Sequence, residues 1–348
     1  DLNLGNSGTG ARLLLGLISG LGLRSRLIGD HSLSNRPMAR VIKPLLEMGA
    51  SIESKDERLP ITTSFCDLRD YYEYEMPIAS AQVKSCLMLA SLFIEGESKF
   101  YEKIITRDHT ENLLEHLEYN ITRSNNETRI KGCEVLSAKD ITIGSDISSA
   151  AFFIVAALIL NKSEIKIPNV NINKYRTGII VVLEQMGADI SILNKRVDSN
   201  ENIADLIIKS TQLKSINLGG EIISTLIDEL PILFIACAVS SGVSKITGIK
   251  ELRYKESDRI KSMEEGLIEI GIKVSSTIDS IEINGGEILG GKINSYGDHR
   301  IAMAFAIAAL VSKKSITIVD TQNISTSFPN FIEVCKEAFF EGDGRLLV

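Results

Sequence analysis

Ser148-Ser149-Ala150-Ala151-Phe152-Phe153-Ile154-Val155-Ala156-Ala157-Leu158-Ile159-Leu160 carries no charge and, after its two serines, no polar side chain. A helix of that composition has no face for water, so it belongs inside a protein rather than on its surface. Four stretches like it open near Gly8, Ser80, Asp228 and Asn294 to Asp298, each behind a polar or glycine-rich cap. Their recurrence, about every 70 to 80 residues, is an internal repeat and fixes the architecture before any motif is read.

A second series runs out of phase with the first. Ala39 to Ile52, Glu111 to Ile121, Ile179 to Ile190 and Lys261 to Val274 each read as an amphipathic helix that stops at a left-handed cap and runs on into a strand. The predicted caps are Gly49, Asn120, Gly187 and Gly271, asparagine being the next residue after glycine to tolerate positive φ. Each unit therefore reads as strand, buried helix, strand, half-exposed helix, further strands. Five such units are an odd number for a closed assembly, and a sixth is expected upstream of Asp1, where the chain opens inside a Gly-rich helix start.

With 348 residues, 44% of them hydrophobic, the chain can fill the cores of two domains, and a boundary is placed near Asp140, giving domains 1–140 and 141–348. A formal charge of −7 excludes a surface that coats nucleic acid, so any anion site must be a local cluster of basic side chains. The longest apolar run, Ala150 to Leu160, falls short of the ~20 residues that span a bilayer. No membrane partner and no signal sequence are expected. Cys66, Cys86, Cys133, Cys237 and Cys335 show no paired spacing, and five free thiols in a reducing compartment are expected. Four histidines without Cys-x-x-Cys or His-x-x-x-His give no metal site.

Charged groups gather at helix starts. Arg253-Tyr254-Lys255-Glu256-Ser257-Asp258-Arg259 reads as the opening of an amphipathic helix with Lys255 and Arg259 on one face. Tyr296-Gly297-Asp298-His299-Arg300 sets Arg300 at the N-terminus of a buried helix, where free backbone N–H groups and the positive helix end favour an anion. Asn6-Ser7-Gly8-Thr9-Gly10-Ala11-Arg12 is a Gly-rich turn into another, and Ser80-Ala81-Gln82-Val83-Lys84 offers hydroxyl, amide and ammonium groups at a third. Asp228-Glu229 precedes Leu230-Pro231, with proline favoured in a first turn. Together with Arg36 and Arg107, these groups point to a multiply anionic small molecule.

Eight motifs in order carry a resemblance: Leu4 to Thr9, Asn35-Arg36-Pro37-Met38, Ser80-Ala81-Gln82, Gly144 to Ala150, Asp228 to Pro231, Lys255 to Arg259, Asp298-His299-Arg300 and Ser327-Phe328-Pro329. From Leu4 to about Glu333 the chain resembles the EPSP synthase (3-phosphoshikimate 1-carboxyvinyltransferase) family. The resemblance implies an α/β (α+β) fold: a two-domain inside-out barrel of repeated units, helices buried and sheets outside. It also implies transfer of the enolpyruvyl group of phosphoenolpyruvate to the 5-hydroxyl of 3-phosphoshikimate, releasing phosphate, in chorismate and aromatic amino-acid biosynthesis. Asp228 matches the family's proton acceptor and Glu256 its proton donor, with Lys255 steering the transfers. Gly8, Arg36, Gln82, Arg259 and Arg300 match the phosphoenolpyruvate site. Ser80, Ala81, Gln82, Arg107, Asp228 and Lys255 match the 3-phosphoshikimate site. A monomeric cytoplasmic enzyme without cofactor is implied. Ser80 to Lys84 and Arg107 to Glu111 resemble the family's glyphosate-tolerant class, whereas Gly8 is the residue of sensitive members, and on steric grounds inhibition by the herbicide glyphosate in the phosphoenolpyruvate site is expected.

There are departures from the family pattern. The family's N-terminal segment, with a lysine, a serine and an arginine that bind substrate, has no counterpart in this sequence, and the 348-residue chain by itself is expected to be impaired. Thr326 stands where some relatives have a lysine, and the tail Phe340 to Val348 matches no motif. The rival enzyme is UDP-N-acetylglucosamine enolpyruvyl transferase. Its loop cysteine would lie five residues before Arg36, but His31 stands there and no cysteine precedes Cys66. The other alternative is an inactive fragment that still binds anions.

Overall fold

A computed structural model describes residues 1–340, so positions 341–348, most of the unmatched tail, lie outside the described residues. The chain divides into Asp1–Thr142 and Ile143–Val348. In the first unit, Leu2–Asn3 (β1), Ser25–Ile28 (β2), Ser51–Lys55 (β3) and Arg58–Ser64 (β4) form a sheet in the order β1-β2-β4-β3. β1 and β2 are parallel and are joined through helix Gly8–Gly20 (α1); β4 is antiparallel to both its neighbours. His31–Ser34 (α2) and Ala39–Glu47 (α3) lead into β3. Tyr72–Met76 (β5), Glu97–Glu102 (β6), Ile121–Ser124 (β7) and Glu127–Lys131 (β8) repeat the order as β5-β6-β8-β7 around Ala81–Ser91 (α4) and His109–His116 (α5).

The second unit holds three versions of the same motif. Glu164–Asn171 (β9), Asp189–Asp198 (β10) and Glu201–Lys209 (β11) pair as β9-β11-β10, with Ile147–Ile159 (α6) before them and Gly178–Gln185 (α7) between. The first-strand position is taken by a single parallel bridge from Ser145 to Val170. Asn217–Leu218 (β12), Val243–Thr247 (β13), Lys273–Ser276 (β14) and Ser280–Asn284 (β15) give β12-β13-β15-β14, with Leu230–Val239 (α8) and Arg259–Glu269 (α9). Gly291–Asn294 (β16) and Ile316–Val319 (β17) are parallel across His299–Ala309 (α10), before Ile324–Ser327 (α11) and Phe331–Phe339 (α12).

Composition decides the layers. In α8 every residue from Leu230 to Ala238 is buried, and in α6 only Ser149 and Ile159 escape full burial. α6, α8 and α10 pack on one another. A fully buried Leu, Ile or Phe contributes ~1.5–3 kcal/mol, so these helices are the cores rather than decorations on them. In the first unit α1 packs on α4, and glycine sets how closely: a Cβ on Gly16 would stand 2.0 Å from the Cys86 carbonyl oxygen. Strands such as β4 and β6 alternate buried and more open positions, as half-buried sheets require.

The four half-exposed helices end alike. Gly49, Gly187 and Gly271 have positive φ, and at each end the cap N–H bonds three residues back and the next N–H five back. The fourth end corrects the expectation of an Asn120 cap. Glu118 (φ 58) takes the left-handed position, with Glu118 N bonded to Glu115 O and Tyr119 N to Leu114 O. The helix stops two residues early, and the Glu118 carboxylate is held by Lys139 and Ser137 at 2.7 Å each. Glu118→Gly is expected to raise the melting temperature by about 2 °C, because relief of left-handed strain outweighs an exposed ion pair. A lower melting temperature would show that the Lys139 and Ser137 contacts dominate.

Candidate active site

Each unit presents its own cluster. In the first, Ser7 caps α1 by accepting from Gly10 N at 3.0 Å. Arg12, a turn further on, donates to Gln82 Oε1 at 2.6 Å and to the Pro37 carbonyl at 3.3 Å, while Gln82 Nε2 donates to Thr9 Oγ1 at 2.7 Å. Arg36 donates to Asn6 Oδ1 at 2.6 Å, and Asn6 in turn reaches Asp30. Gly8 makes this density possible: a Cβ there would stand 2.9 Å from Arg36 Nη1 and 3.4 Å from Arg12 Nη1. Gly8, Arg36 and Gln82 are thus brought together. Ser80 caps α4, accepting from Val83 N at 3.4 Å, and Arg107 stands just before Asp108, the N-cap of α5.

Lys84 does not join the ligand-facing group that the sequence suggests. Its side chain is 1% exposed and pairs with Glu102 at 2.7 Å and Glu111 at 2.6 Å. Burial lowers its pKa, but the two carboxylates outweigh that and hold it above the ordinary value.

In the second unit, Asp228 receives Lys255 Nζ at 3.1 Å and has Arg259 Nη1 at 3.7 Å. Glu256 pairs with Arg259 Nη2 at 2.6 Å, and Arg259 Nε reaches Asp298 at 2.8 Å. Asp298 caps α10 through Arg300 N at 2.9 Å, and Arg300 Nη1 donates to the Asp228 carbonyl at 3.0 Å. The arrangement corrects the reading of Lys255 and Arg259 as helical neighbours. Lys250–Tyr254 is a 3₁₀ turn, Lys255 is extended, and the helix begins only at Arg259 behind the Asp258 cap. The two cations still converge, through the bend rather than along a helix face. Asp228, Lys255 and Glu256 keep 18%, 27% and 19% of their side chains exposed, against 1% for Arg259. The groups able to exchange protons with a ligand are open, and the group that organises them is sealed.

Several participants escaped the sequence reading. Arg176, just before α7, donates to Asp146 at 2.8 Å and to Ser148 Oγ at 2.5 Å, and Ser148 donates to buried Glu229. Burial raises the pKa of Glu229, with Arg300 opposing. Arg12 and Arg176 carried the same signal as their neighbours, an arginine at a helix start. His299 is pushed down to about 4 by burial and by Arg300. The unfolded chain takes up that proton below its ordinary 6.5, the folded protein only near 4. Stability should therefore fall as pH drops through that window, approaching 1.4 kcal/mol per pH unit. The check is unfolding of parent and His299→Gln between those limits, where equal slopes would refute the assignment.

Among the described residues no three His, Cys, Asp or Glu side chains gather to hold a metal ion, and no helix is long and apolar enough to cross a membrane. The five cysteines are free, with Cys86, Cys237 and Cys335 pushed up to about 12 by burial.

The sequence profile of EPSP synthase (3-phosphoshikimate 1-carboxyvinyltransferase) matches residues 1–335. The chain belongs to the EPSP synthase family. A 3-phosphoshikimate 1-carboxyvinyltransferase of Vesicomyosocius okutanii subsp. Calyptogena okutanii (strain HA) is 46% identical over 338 residues, 97% of this chain and 78% of that protein. One from Legionella pneumophila (strain Lens) is 45% identical over 340 residues, covering 98% and 78%. An EPSP synthase structure from Acinetobacter baumannii aligns with TM-score 0.85 at 43% identity, covering 97% of this chain and 78% of that one. The fold is that of the EPSP synthases, and the resemblance drawn from the eight motifs is borne out.

Proposed function

We propose that this enzyme transfers the enolpyruvyl group of phosphoenolpyruvate to the 5-hydroxyl of 3-phosphoshikimate, releasing phosphate, and that it works as a cytoplasmic monomer. The observation that carries the reading is the partly open trio of Asp228, Lys255 and Glu256 around a buried guanidinium. Addition of a hydroxyl to an enol carbon needs a base for the hydroxyl proton and an acid for the methylene; the methyl later loses a proton as phosphate leaves. In this proposal Asp228 accepts, Glu256 donates, and Lys255 holds the hydroxyl.

Arg36, Gly8, Gln82, Arg259 and Arg300 are proposed to take phosphoenolpyruvate, since forked guanidinium donors suit phosphate and carboxylate. The Arg259 contact is supported by its Nη1, which is buried, 3.7 Å from Asp228 and without a hydrogen bond among the described residues. Ser80, Ala81, Gln82 and Arg107, with Asp228 and Lys255, are proposed to take 3-phosphoshikimate. The test is phosphate release on mixing both substrates with the enzyme. Release that requires both, with enolpyruvyl product in equal amount, supports the reading; transfer to UDP-N-acetylglucosamine instead would overturn it.

Glyphosate is expected to compete with phosphoenolpyruvate. In Gly8→Ala the new methyl would stand 2.9 Å from Arg36 Nη1, so that guanidinium must shift. Overpacking of this kind costs ~1–3 kcal/mol, or about 5- to 150-fold in inhibitor affinity. The KM for phosphoenolpyruvate should rise less, because the shorter ligand leaves the guanidinium room. Inhibition curves at several phosphoenolpyruvate concentrations check it, and equal sensitivity of parent and variant would show that Gly8 does not set the pocket's size.

A further inference from the structure

The buried cluster around Lys84 has no part in the chemistry above, yet it joins the two helix starts that the proposed reading gives to the substrate's phosphate. Lys84 lies in the first turn of α4, four residues after Ser80; Glu111 lies in the first turn of α5, four after Arg107. Lys84 Nζ bonds Glu111 Oε1 at 2.6 Å and Glu102 Oε2 at 2.7 Å. The other Glu102 oxygen, Oε1, accepts from Thr106 N at 2.9 Å and from Thr106 Oγ1, which fixes the residue beside Arg107. A further link runs from Ser85 Oγ to Thr110 Oγ1 at 2.7 Å. Lys84, Glu102, Thr106 and Glu111 are each less than a tenth exposed.

Stability alone does not call for this arrangement. Buried ions gain little over well-packed apolar side chains of the same volume, whereas their bonds fix distance and direction. There is one ammonium for two carboxylates, and burial leaves the Glu111 pKa above the ordinary carboxylate range despite Lys84. The two hydrogen bonds that Glu102 Oε1 accepts from Thr106 N and Oγ1 stabilise one of those carboxylates, and they also hold the loop that carries Arg107.

We propose that Lys84, Glu102, Thr106 and Glu111 are positioning residues for the 3-phosphate of the substrate, keeping Arg107 in register with Ser80, Ala81 and Gln82. The proposal rests on the assignment of Arg107 and Ser80 to that phosphate. It gives Lys84 and Glu111 a shared purpose, although 3-phosphoshikimate touches neither.

Lys84→Met strands two carboxylates in the core, so the milder Thr106→Val and Glu102→Gln are the informative pair, with melting curves to verify the fold. The ligands are 3-phosphoshikimate and shikimate, the same ring without the phosphate, measured by calorimetric titration. Each variant is expected to lose about ten-fold or more in affinity for 3-phosphoshikimate, as a displaced phosphate clamp does. Shikimate affinity and the KM for phosphoenolpyruvate should stay within about two-fold, and Thr106→Ser, which keeps the hydroxyl, should restore the parent value. Equal losses for both ligands would mean general loosening and overturn the proposal. So would unchanged 3-phosphoshikimate affinity in the pair while Arg107→Ala loses it. If Arg107→Ala itself changes nothing, the phosphate assignment falls, and the positioning role falls with it.

Discussion

Glu256→Gln and Asp228→Asn are each expected to lower kcat by roughly 10²–10⁴-fold, the usual worth of general acid–base assistance. Both substitutions keep the shape of the site. A glutamine can still offer its carbonyl oxygen to Arg259 Nη2, now 2.6 Å from Glu256, and an asparagine can still accept from Lys255, now 3.1 Å from Asp228. What they remove is the ability to give or take a proton. Because neither carboxylate is assigned to the substrate's phosphate, binding of 3-phosphoshikimate should survive better than turnover in both variants. Arg107→Ala should do the reverse, weakening binding more than turnover at saturation. Steady-state rates and a binding titration on the same preparations separate the two effects, and full turnover by Glu256→Gln with an intact fold would remove Glu256 from the acid role.

The layering was legible because it is a matter of composition. Ile147–Ile159 and Leu230–Val239 have no polar face, so no fold could leave them on a surface. The half-exposed helices were legible too, through Gly49, Gly187 and Gly271, since only glycine makes that turn without strain. Glu118 broke the rule: it takes the left-handed position with its carboxylate held by Ser137 and Lys139, contacts that a local pattern does not reveal. The site divides in the same way. Residues at helix starts could be picked out, but their orientation could not, because it depends on partners far along the chain. Lys84 looks like a ligand group until Glu102, eighteen positions on, is seen to claim it. The Gln82 amide lies against Arg12, seventy positions before it. Lys255 and Arg259 were correctly placed together for the wrong geometric reason, since sequence spacing does not distinguish a helical face from a bend before a helix.

Arg259→Met is expected to destabilise the enzyme by about 3–5 kcal/mol, lowering its melting temperature by about 10 °C, as well as abolishing productive phosphoenolpyruvate binding. Burial opposes the charge of this arginine, yet Asp298 and Glu256 outweigh it and hold its pKa above the ordinary value. Its removal leaves Asp298, 0% exposed, without its paired guanidinium and, among the described residues, with Ser257 Oγ and the Arg300 backbone N–H as its side-chain donors. Arg300→Met should behave differently. Arg300 is only partly buried and gives one bond to the Asp228 carbonyl, so its loss should raise the KM for phosphoenolpyruvate with little change in melting. The double variant Arg259→Met/Asp298→Asn provides the decisive comparison. If the cost of Arg259→Met is chiefly a stranded carboxylate, neutralising that carboxylate should recover part of the melting temperature while phosphoenolpyruvate binding stays lost. A melting temperature for Arg259→Met equal to the parent's would contradict its role as the organising charge of this cluster, and it would leave ligand binding as the sole reason for burying an arginine among three carboxylates.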